Sequence, residues 1–160
     1  QEYLRFNVAT TFTRAAEESL IDVGSSLHIG ARGPTNDSTV FNHTREVGYG
    51  LINGSELFKT GLNNTEKRVV ETLKGRSVYL CFDMDFFDPS CAPGVCTPTW
   101  GGATSREGLE FLQNLAGLNL VGADINTVSP PHDISGMTAF LAATVGLEIL
   151  TLFCHSKNLI

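Results

Sequence analysis

Two aspartates separated by one residue carry the clearest chemistry in this sequence. Asp83 and Asp85 follow the apolar run 78–82 and precede a loop rich in turn residues. Alternate side chains of a strand point to one face, so we expect the two carboxylates to converge where the strand ends. Neighbouring carboxylates raise each other's pKa unless a cation lies between them, and no Lys or Arg occurs between Arg76 and Arg106. The pair predicts a divalent metal site; the alternative is a strand end with one capping and one turn aspartate.

A second polar cluster follows a later apolar segment and comprises Asp124, Asn126, Thr127, His132 and Asp133. Functional groups of parallel α/β sheets gather at the carboxyl ends of strands, so the cluster is a candidate substrate site. Ordinary turn and helix-start chemistry explains its Ser-Pro-Pro and Asp-x-Ser-Gly segments equally well. His132 is the histidine best placed for a role in binding. The other three are expected to pack or to face solvent: His28, His43 and His155.

The spacing of apolar residues predicts alternating helices and strands, and therefore a three-layer α/β/α fold with a mostly parallel sheet. The chain is expected to form a single domain without a linker. Segment 35–64 is polar and is expected to be a surface excursion with at most one short helix near 55–59. The predicted helices cover 11–20, 65–74, a stretch capped by Ser105, and 136–153. The predicted strands cover 27–29, 78–82 and 118–125.

Composition narrows the class of partner. The chain has 160 residues and a net charge of −6, which argues against nucleic acid and anionic membrane surfaces. No apolar stretch is expected to be long enough to span a bilayer, so we expect no membrane partner. Small molecules and proteins remain.

The compartment stays open between secreted and cytoplasmic. Cys91 and Cys96 bracket a short loop that would allow a local disulfide in an oxidising compartment, whereas Cys81 and Cys154 are expected to be buried free thiols. Asn-x-Ser/Thr triplets would suit a glycosylated, secreted protein, although an Asn- and Thr-rich segment also produces them by chance. They begin at Asn36, Asn42, Asn53 and Asn63.

Two long segments are together similar to one enzyme family. FDMDFFDPSCAPGVCTPTWGG and LVGADINTVSPPHDISGMTAFLAA resemble the metal strand, loop and following strand of the ureohydrolases, the family of arginase and agmatinase. FTRAAEESLID and LHIGARG are similar to an upstream helix and strand of that family. The resemblance covers nearly the whole chain. It implies a partial arginase-like domain, residues 1–160, which lacks the N-terminal strands.

The resemblance also implies a chemistry. Ureohydrolases hold two Mn²⁺ ions, or Ni²⁺ in some branches, and a bridging hydroxide attacks a guanidinium carbon and releases urea. Asp83 would bridge the metals and Asp85 would bind one of them. Thr127 and His132 are the candidate substrate-binding residues, and no catalytic residue is assigned. The expected substrate is a small guanidino or amidino compound, and the expected assembly is a homo-oligomer.

Departures from the family pattern leave two alternatives. The family's Gly-Gly-Asp-His and Asp-Ala-His-x-Asp segments are not in this sequence, Val8 stands where a proton-shuttle histidine is expected, and Thr127 replaces a Glu that pairs with the guanidinium. The chain is therefore expected to be inactive alone. It is either the C-terminal portion of an agmatinase-like enzyme, which the absent Met at residue 1 favours, or a degenerate binding or assembly subunit, which Val8 and Thr127 favour.

Overall fold

The computed structural model describes residues 5–7, 9–34 and 39–159. Its strands form two parallel pairs, and helices lie between the strands along the chain. The predicted α/β class is therefore confirmed. The chain divides into two compact units, one built from residues 1–29 and 34–52 and the other from 30–33 and 53–160. Each unit is described by itself. The prediction of a single partial domain stays a prediction.

The first unit is built around one parallel strand pair and three rings in edge-to-face contact. Its elements are α1 (Thr11–Glu17), β1 (Leu27–Ile29), α2 (Val40–Val47) and β2 (Gly50–Ile52). The imidazole of His28 lies 5.4 Å from the ring of Phe12 and 4.8 Å from that of Tyr49, and the Tyr49 hydroxyl donates to the Phe12 carbonyl. Burial lowers the pKa of His28, so the neutral ring is favoured. The expected packing role of His28 is confirmed.

The second unit carries the longer strands and most of the apolar core. Within it, β3 and β4 pair so that Cys81 lies opposite Asp124 and Asp83 lies opposite Asn126. The carboxyl ends of β3 and β4, which both carry polar residues, therefore lie at the same edge of the sheet, as the sequence predicted. The elements are α3 (Gly54–Thr60), α4 (Leu62–Leu73), β3 (Ser77–Asp83), α5 (Ser105–Gln113), β4 (Asn119–Asn126) and α6 (Met137–Ser156).

Aromatic side chains anchor the turn that follows β3. The Phe87 ring is 1% exposed and lies 5.7 Å from the ring of Phe82, while the Phe86 ring lies 5.9 Å from that of Phe111 in α5. Burial of rings of this size stabilises a fold by about 2 kcal/mol each. The residues after β3 therefore leave the strand in a direction that the core fixes.

The prediction for segment 35–64 is wrong. Beyond residues 35–38, which lie outside the described part, the chain forms α2, β2, α3 and the beginning of α4. These elements were not predicted because the helices are short and polar and the strand has only three residues. The start of α3 has a local signal, since the Asn53 side chain accepts a hydrogen bond from the Glu56 backbone N–H.

The expectation that no apolar stretch is long enough to span a bilayer is also wrong. Helix α6 has 20 residues, and Glu148 is its single Asp, Glu, Lys or Arg, so it is long and apolar enough to cross a bilayer by length and composition. Helices in the core of proteins outside membranes can have the same length and composition. One side of α6 is buried within the second unit at Val145, Ile149 and Leu152.

The local disulfide is not formed. Cys91 and Cys96 are both free, and the Cys91 thiol donates to the Asp88 carbonyl at 3.3 Å while Cys96 is exposed. Burial raises the pKa of the Cys91 thiol, which makes it less reactive. Cys81 and Cys154 are free and partly buried, as expected. The compartment remains undecided.

The start of α5 offers a test of local stability. Thr104, rather than the predicted Ser105, is the N-cap, and it forms a reciprocal capping box with Glu107. We expect Thr104→Ala to lower the free energy of unfolding by about 1 kcal/mol, because the Glu107 backbone N–H loses the Thr104 hydroxyl as its acceptor. Thr104→Ser keeps the hydroxyl and should stay close to the parent in urea unfolding. Equal stability of the two variants would contradict the capping role.

Candidate metal and substrate site

Asp83 and Asp85 lie side by side, but not through strand alternation. Strand β3 ends at Asp83, and Asp85 lies in the 3-10 turn Met84–Phe86. The Asp85 backbone N–H donates to the Asp83 carboxylate at 3.2 Å. The sequence therefore predicted the pairing correctly and its geometric cause wrongly. A capped turn, in which Asp83 is the N-cap, brings the two side chains together.

The electrostatics of the pair favour a cation. Burial and the neighbouring charge of Asp83 raise the pKa of Asp85, while a hydrogen bond from the Thr97 hydroxyl at 3.1 Å and the Arg32 guanidinium act in the opposite direction. The net direction is upward, so the ionised carboxylate of Asp85 is under-compensated by protein groups. A proton or a metal ion at this position would relieve the repulsion between the two carboxylates.

One guanidinium joins three separate parts of the loop that carries Asp85. The Nη2 atom of Arg32 donates to the backbone carbonyls of Asp85 at 2.6 Å, Phe87 at 3.0 Å and Thr99 at 2.8 Å. Within the described residues its Nε is buried without a hydrogen-bond partner. A guanidinium is suited to this task because its donors are fixed in a plane and its charge strengthens each bond.

A second carboxylate closes the other end of this loop. Asp88 accepts hydrogen bonds from the backbone N–H groups of Ser90, Gly101 and Gly102 at 2.9, 2.8 and 3.3 Å. Bonds from Ser90, followed by those from the two glycines, lower the pKa of Asp88 to about 2. Gly102 is required here, since a Cβ would lie 2.5 Å from both Arg32 Nη2 and the Asp88 backbone nitrogen. The turn role predicted for Asp88 is confirmed.

Thr127 joins the aspartate pair from the end of β4. Its hydroxyl donates a short hydrogen bond to the Asp83 carboxylate. Its φ is 67°, a left-handed conformation that costs a β-branched residue about 1 to 2 kcal/mol. Neighbouring backbone bonds hold it there, because Cys96 N–H donates to the Thr127 carbonyl at 3.2 Å and Val95 bridges Val128. The structure therefore maintains local strain to keep this hydroxyl against Asp83.

The rest of the second polar cluster does not join this group. Tyr79 and Asn126 each donate to a different Asp124 oxygen at 2.8 Å. Asp133 accepts from the backbone N–H groups of Thr138 and Ala139 at the start of α6, so its helix-start role is confirmed.

His132 forms its hydrogen bond with Ser129 and not with the aspartate pair. It ends the 3-10 turn Pro130–His132, is exposed, and its Nδ1 lies 2.7 Å from the Ser129 hydroxyl oxygen. Across the described residues, no hydrogen bond links His132 to Asp83, Asp85 or Thr127. Its role in substrate binding stays a prediction.

The donors present fit part of a site for a hard divalent cation. Two carboxylates and the hydroxyls of Thr97 and Thr127 supply oxygen atoms of the kind that Mn²⁺ and Mg²⁺ bind. In residues 5–7, 9–34 and 39–159, however, no group of three or more His, Cys, Asp or Glu side chains is placed to hold a metal ion. Val8, the position matched to a proton-shuttle histidine, lies outside the described residues.

Two positioning residues were missed by sequence reasoning. Neither Arg32 nor Thr97 was assigned a role from the sequence. A signal for Arg32 was present, because an arginine shortly after a half-buried strand is expected to place its charge against carbonyls or carboxylates. For Thr97 the sequence holds no comparable signal, because hydroxyls are common in loops.

Comparisons of the sequence and of the structure with known proteins all indicate one family. The profile of the Arginase family matches residues 1–151. The guanidinobutyrase of Pseudomonas aeruginosa is 38% identical over 141 residues, and the mitochondrial guanidino acid hydrolase of Homo sapiens is 34% identical over 139. Among solved structures, proclavaminate amidino hydrolase from Streptomyces clavuligerus is 35% identical with a TM-score of 0.88, and a hypothetical agmatinase from Burkholderia thailandensis is 34% identical with a TM-score of 0.83.

The chain spans about half the length of the relatives that it matches. The matched part is 88% of this chain but 44% of the Pseudomonas guanidinobutyrase, and 87% of this chain but 40% of the human protein. For the two solved structures, 95% of this chain corresponds to 50% and 46% of the related chains. The predicted arginase-like fold is confirmed for the part that this chain contains.

The three bonds of Arg32 can be tested by substitution. We expect Arg32→Met to lower the free energy of unfolding by about 2 to 4 kcal/mol, because part-buried carbonyls lose a charged donor. Arg32→Lys keeps the charge and should recover part of the loss. The control is Arg68→Met, which removes an exposed ion pair with Glu56 and should cost less than about 0.5 kcal/mol. Urea unfolding measures all three, and equal losses for Arg32→Met and Arg68→Met would contradict the assignment.

The raised pKa of Asp85 predicts a stabilising substitution. The folded-state pKa of Asp85 lies above the unfolded value, so the fold loses stability as the pH rises from the unfolded to the folded value, and the loss is complete above the folded value. In a chelating buffer at pH 7 we expect Asp85→Asn to raise the free energy of unfolding by up to about 1 kcal/mol. The gain should disappear as the pH falls below about 4, where Asp85 is protonated in both states.

Asp124→Asn is the matched control with the opposite sign. Burial alone would raise the pKa of Asp124, but hydrogen bonds from Tyr79, Asn126 and Cys81 lower it overall. The ionised form therefore stabilises the fold, and Asp124→Asn should lower stability at neutral pH. Losses of similar size for both Asn variants would show that Asp85 is compensated by the protein.

Proposed function

Because the chain belongs to the arginase family, we propose that it supplies part of the active site of an agmatinase-like amidinohydrolase. The proposed reaction is hydrolysis of a guanidino or amidino C–N bond with release of urea. The observation that carries the proposal is the pair of adjacent carboxylates, Asp83 and Asp85, whose repulsion the protein leaves under-compensated. Such an arrangement is costly without a cation and useful with one.

Asp83 and Asp85 are the residues that would hold Mn²⁺, with Ni²⁺ as an alternative. The metal, when bound, lowers the pKa of water so that hydroxide is available at neutral pH. The protein's own contribution is orientation. Thr127 fixes one oxygen of Asp83, Thr97 fixes one oxygen of Asp85, and Arg32 fixes the backbone between them. Partners of this kind keep ligand carboxylates in one rotamer and are worth about tenfold or more in metal affinity.

The proposed substrate is a small guanidino or amidino compound. Relatives that match most of this chain are named guanidinobutyrase, guanidinopropionase and agmatinase. His132, which is exposed after β4, remains a candidate contact to the part of the substrate outside the reacting group. We also expect the functional assembly to be a homo-oligomer. It does not involve nucleic acid, since the net charge of −6 disfavours it.

We propose that this chain is inactive alone, because two carboxylates are too few to hold two metal ions. Affinity rises with the number and geometry of ligands, and the resemblance assigns the remaining ligands to segments that this sequence does not contain.

A second candidate is a non-catalytic binding or assembly subunit. The observation that favours it is Thr127, whose hydroxyl is committed to Asp83 at the position where the resemblance places a glutamate for the guanidinium. A neutral side chain cannot form an ion pair with the substrate, so recognition of the guanidinium would be weaker.

A chimera tests the proposal directly. The part of the Pseudomonas guanidinobutyrase that lies outside the match is joined to this chain, and urea release from guanidinobutyrate is measured with saturating Mn²⁺. We expect turnover, with at least about a hundredfold loss in Asp83→Ala, since an absent ligand removes a metal. Glu71→Ala, which removes an exposed carboxylate of α4, is the control and should retain most activity. This chain alone should release no urea and should bind Mn²⁺ only weakly by electron paramagnetic resonance.

Three outcomes would contradict the proposed function. Tight, stoichiometric Mn²⁺ binding by the chain alone would show that its ligand set is sufficient. Equal activity of the parent chimera and the Asp83→Ala chimera would remove the role of the pair. A folded chimera that binds Mn²⁺ but leaves every guanidino substrate intact would favour the non-catalytic subunit.

A further inference from the structure

The segment that follows β3 and the segment that follows β4 pair with each other in a short antiparallel ladder. At one end of it the Ser129 backbone N–H donates to the Gly94 carbonyl at 2.8 Å, and at the other end the Cys96 N–H donates to the Thr127 carbonyl at 3.2 Å. Between these two bonds, one valine of each segment forms an antiparallel bridge. The pairing of these residues is here called the loop ladder.

Each segment of the loop ladder carries one of the hydroxyls that hold the aspartate pair. Thr127 ends the ladder in one segment, and its hydroxyl donates to the Asp83 carboxylate. Thr97 directly follows the ladder in the other segment, and its hydroxyl donates to the Asp85 carboxylate at 3.1 Å. A shift of one segment along the other would therefore move the two hydroxyls apart and change how the carboxylates are oriented.

A buried hydroxyl outside the candidate site anchors this ladder. Thr138, in the first turn of α6, is 0% exposed, and its Oγ1 accepts a hydrogen bond from the Gly94 backbone N–H at 2.8 Å. Thr138 is itself held by Asp133, because its backbone N–H donates to that carboxylate at 2.9 Å. The N–H of Gly94 is therefore bonded to α6, while its carbonyl is bonded to Ser129 in the ladder.

The Gly94 backbone also lies directly against the segment that precedes α6. A Cβ at this position would lie 2.6 Å from both the Cα and the Cβ of Asp133. Only glycine permits so close an approach of one backbone to another. The position of the ladder is thus set by two restraints of different kinds, the steric one at Asp133 and the hydrogen bond to Thr138.

The hydroxyl of Thr138 does more than serve its own helix. A threonine inside a helix commonly returns its hydroxyl to the carbonyl four residues earlier, as Thr65 does toward Gly61 at 3.2 Å. The oxygen of Thr138 instead accepts from a backbone N–H that is 44 residues away in the sequence. Because the donor belongs to the loop after β3, loss of this oxygen would affect the loop first.

We propose that Thr138 is a positioning residue for the aspartate pair. It acts through the Gly94 backbone, which sets the register of the loop ladder, and the ladder sets where the Thr97 and Thr127 hydroxyls meet the two carboxylates. The inference rests on the proposed function where it concerns the metal, whereas the role of Thr138 in the ladder is independent of it. Residues that orient metal ligands through a partner change metal affinity by about 10- to 100-fold.

Hydrogen exchange in the full chain tests the ladder without a metal. Thr138→Val is nearly isosteric and removes the acceptor, so exchange at the Cys96 and Ser129 amides should become at least about tenfold faster relative to the amides of β3. Thr138→Ser keeps the hydroxyl and should leave both amides protected. Thr65→Val is the matched control, since it removes the hydroxyl of another buried helical threonine, and it should also leave them protected relative to β3.

The chimera with the Pseudomonas guanidinobutyrase tests the consequence for the metal. Thr138→Val should weaken Mn²⁺ binding, measured by electron paramagnetic resonance, at least about tenfold. Thr138→Ser should recover most of the affinity, and Thr65→Val should bind Mn²⁺ like the parent chimera. Thermal unfolding followed by circular dichroism verifies that every variant folds and shows how much stability each hydroxyl contributes.

Three results would overturn the inference. One is protection of the ladder amides that is unchanged in Thr138→Val. Another is Mn²⁺ affinity that is unchanged in Thr138→Val, or that falls equally in Thr65→Val, because either result would confine Thr138 to a structural role. Equal losses in the Val and Ser variants at position 138 would assign the effect to packing and not to the hydroxyl.

Failure of the proposed function would look different. A parent chimera that binds no Mn²⁺ would contradict that function and, with it, the part of the inference that concerns the metal. The exchange experiment would still decide whether Thr138 holds the ladder, since it requires neither metal nor activity.

Discussion

The candidate site depends on one part-buried cation of the protein itself, the guanidinium of Arg32. Arg32 binds three backbone carbonyls that are far apart in the sequence, those of Asp85, Phe87 and Thr99, through a single nitrogen. Without it, the loop after β3 would have to place part-buried carbonyls next to one another with no donor between them. With it, the loop is closed at both ends, and Asp85 is fixed while remaining ionisable. The same positive charge partly offsets the repulsion between Asp83 and Asp85.

Around this fixed loop, the protein maintains two unfavourable features. Burial and the charge of Asp83 disfavour the ionised form of Asp85, and Thr127 adopts a left-handed conformation to reach Asp83. Both features lower the stability of the fold. Backbone strain and electrostatic repulsion that meet at one pair of carboxylates are typical of binding and catalytic sites. The capping box at Thr104 and the packed rings of Phe82 and Phe87 supply the rigid surroundings that tolerate them.

The sequence predicted those parts of the fold that have strong periodic patterns. The strand ending in Asp83, the strand leading to Asn126 and the long helix after Gly136 were all found, because each is apolar over many residues. The segment 35–64 was misread, since the helix Val40–Val47 and the strand Gly50–Ile52 are short and their stability comes from packing within their own unit. The pairing of the aspartates was predicted, but the 3-10 turn that creates it was not. Arg32 and Thr97 act through contacts between residues distant in sequence, and no local pattern specifies such contacts.

The exposed apolar side chains of α6, which include Phe140, Leu147 and Leu150, affect how long this polypeptide persists in a cell. Large apolar side chains at the surface, next to an open strand edge, are what molecular chaperones retain and what quality-control proteases degrade. The abundance of the chain would therefore depend on how much of that surface stays exposed after synthesis, and less on the intrinsic stability of the residues beneath it.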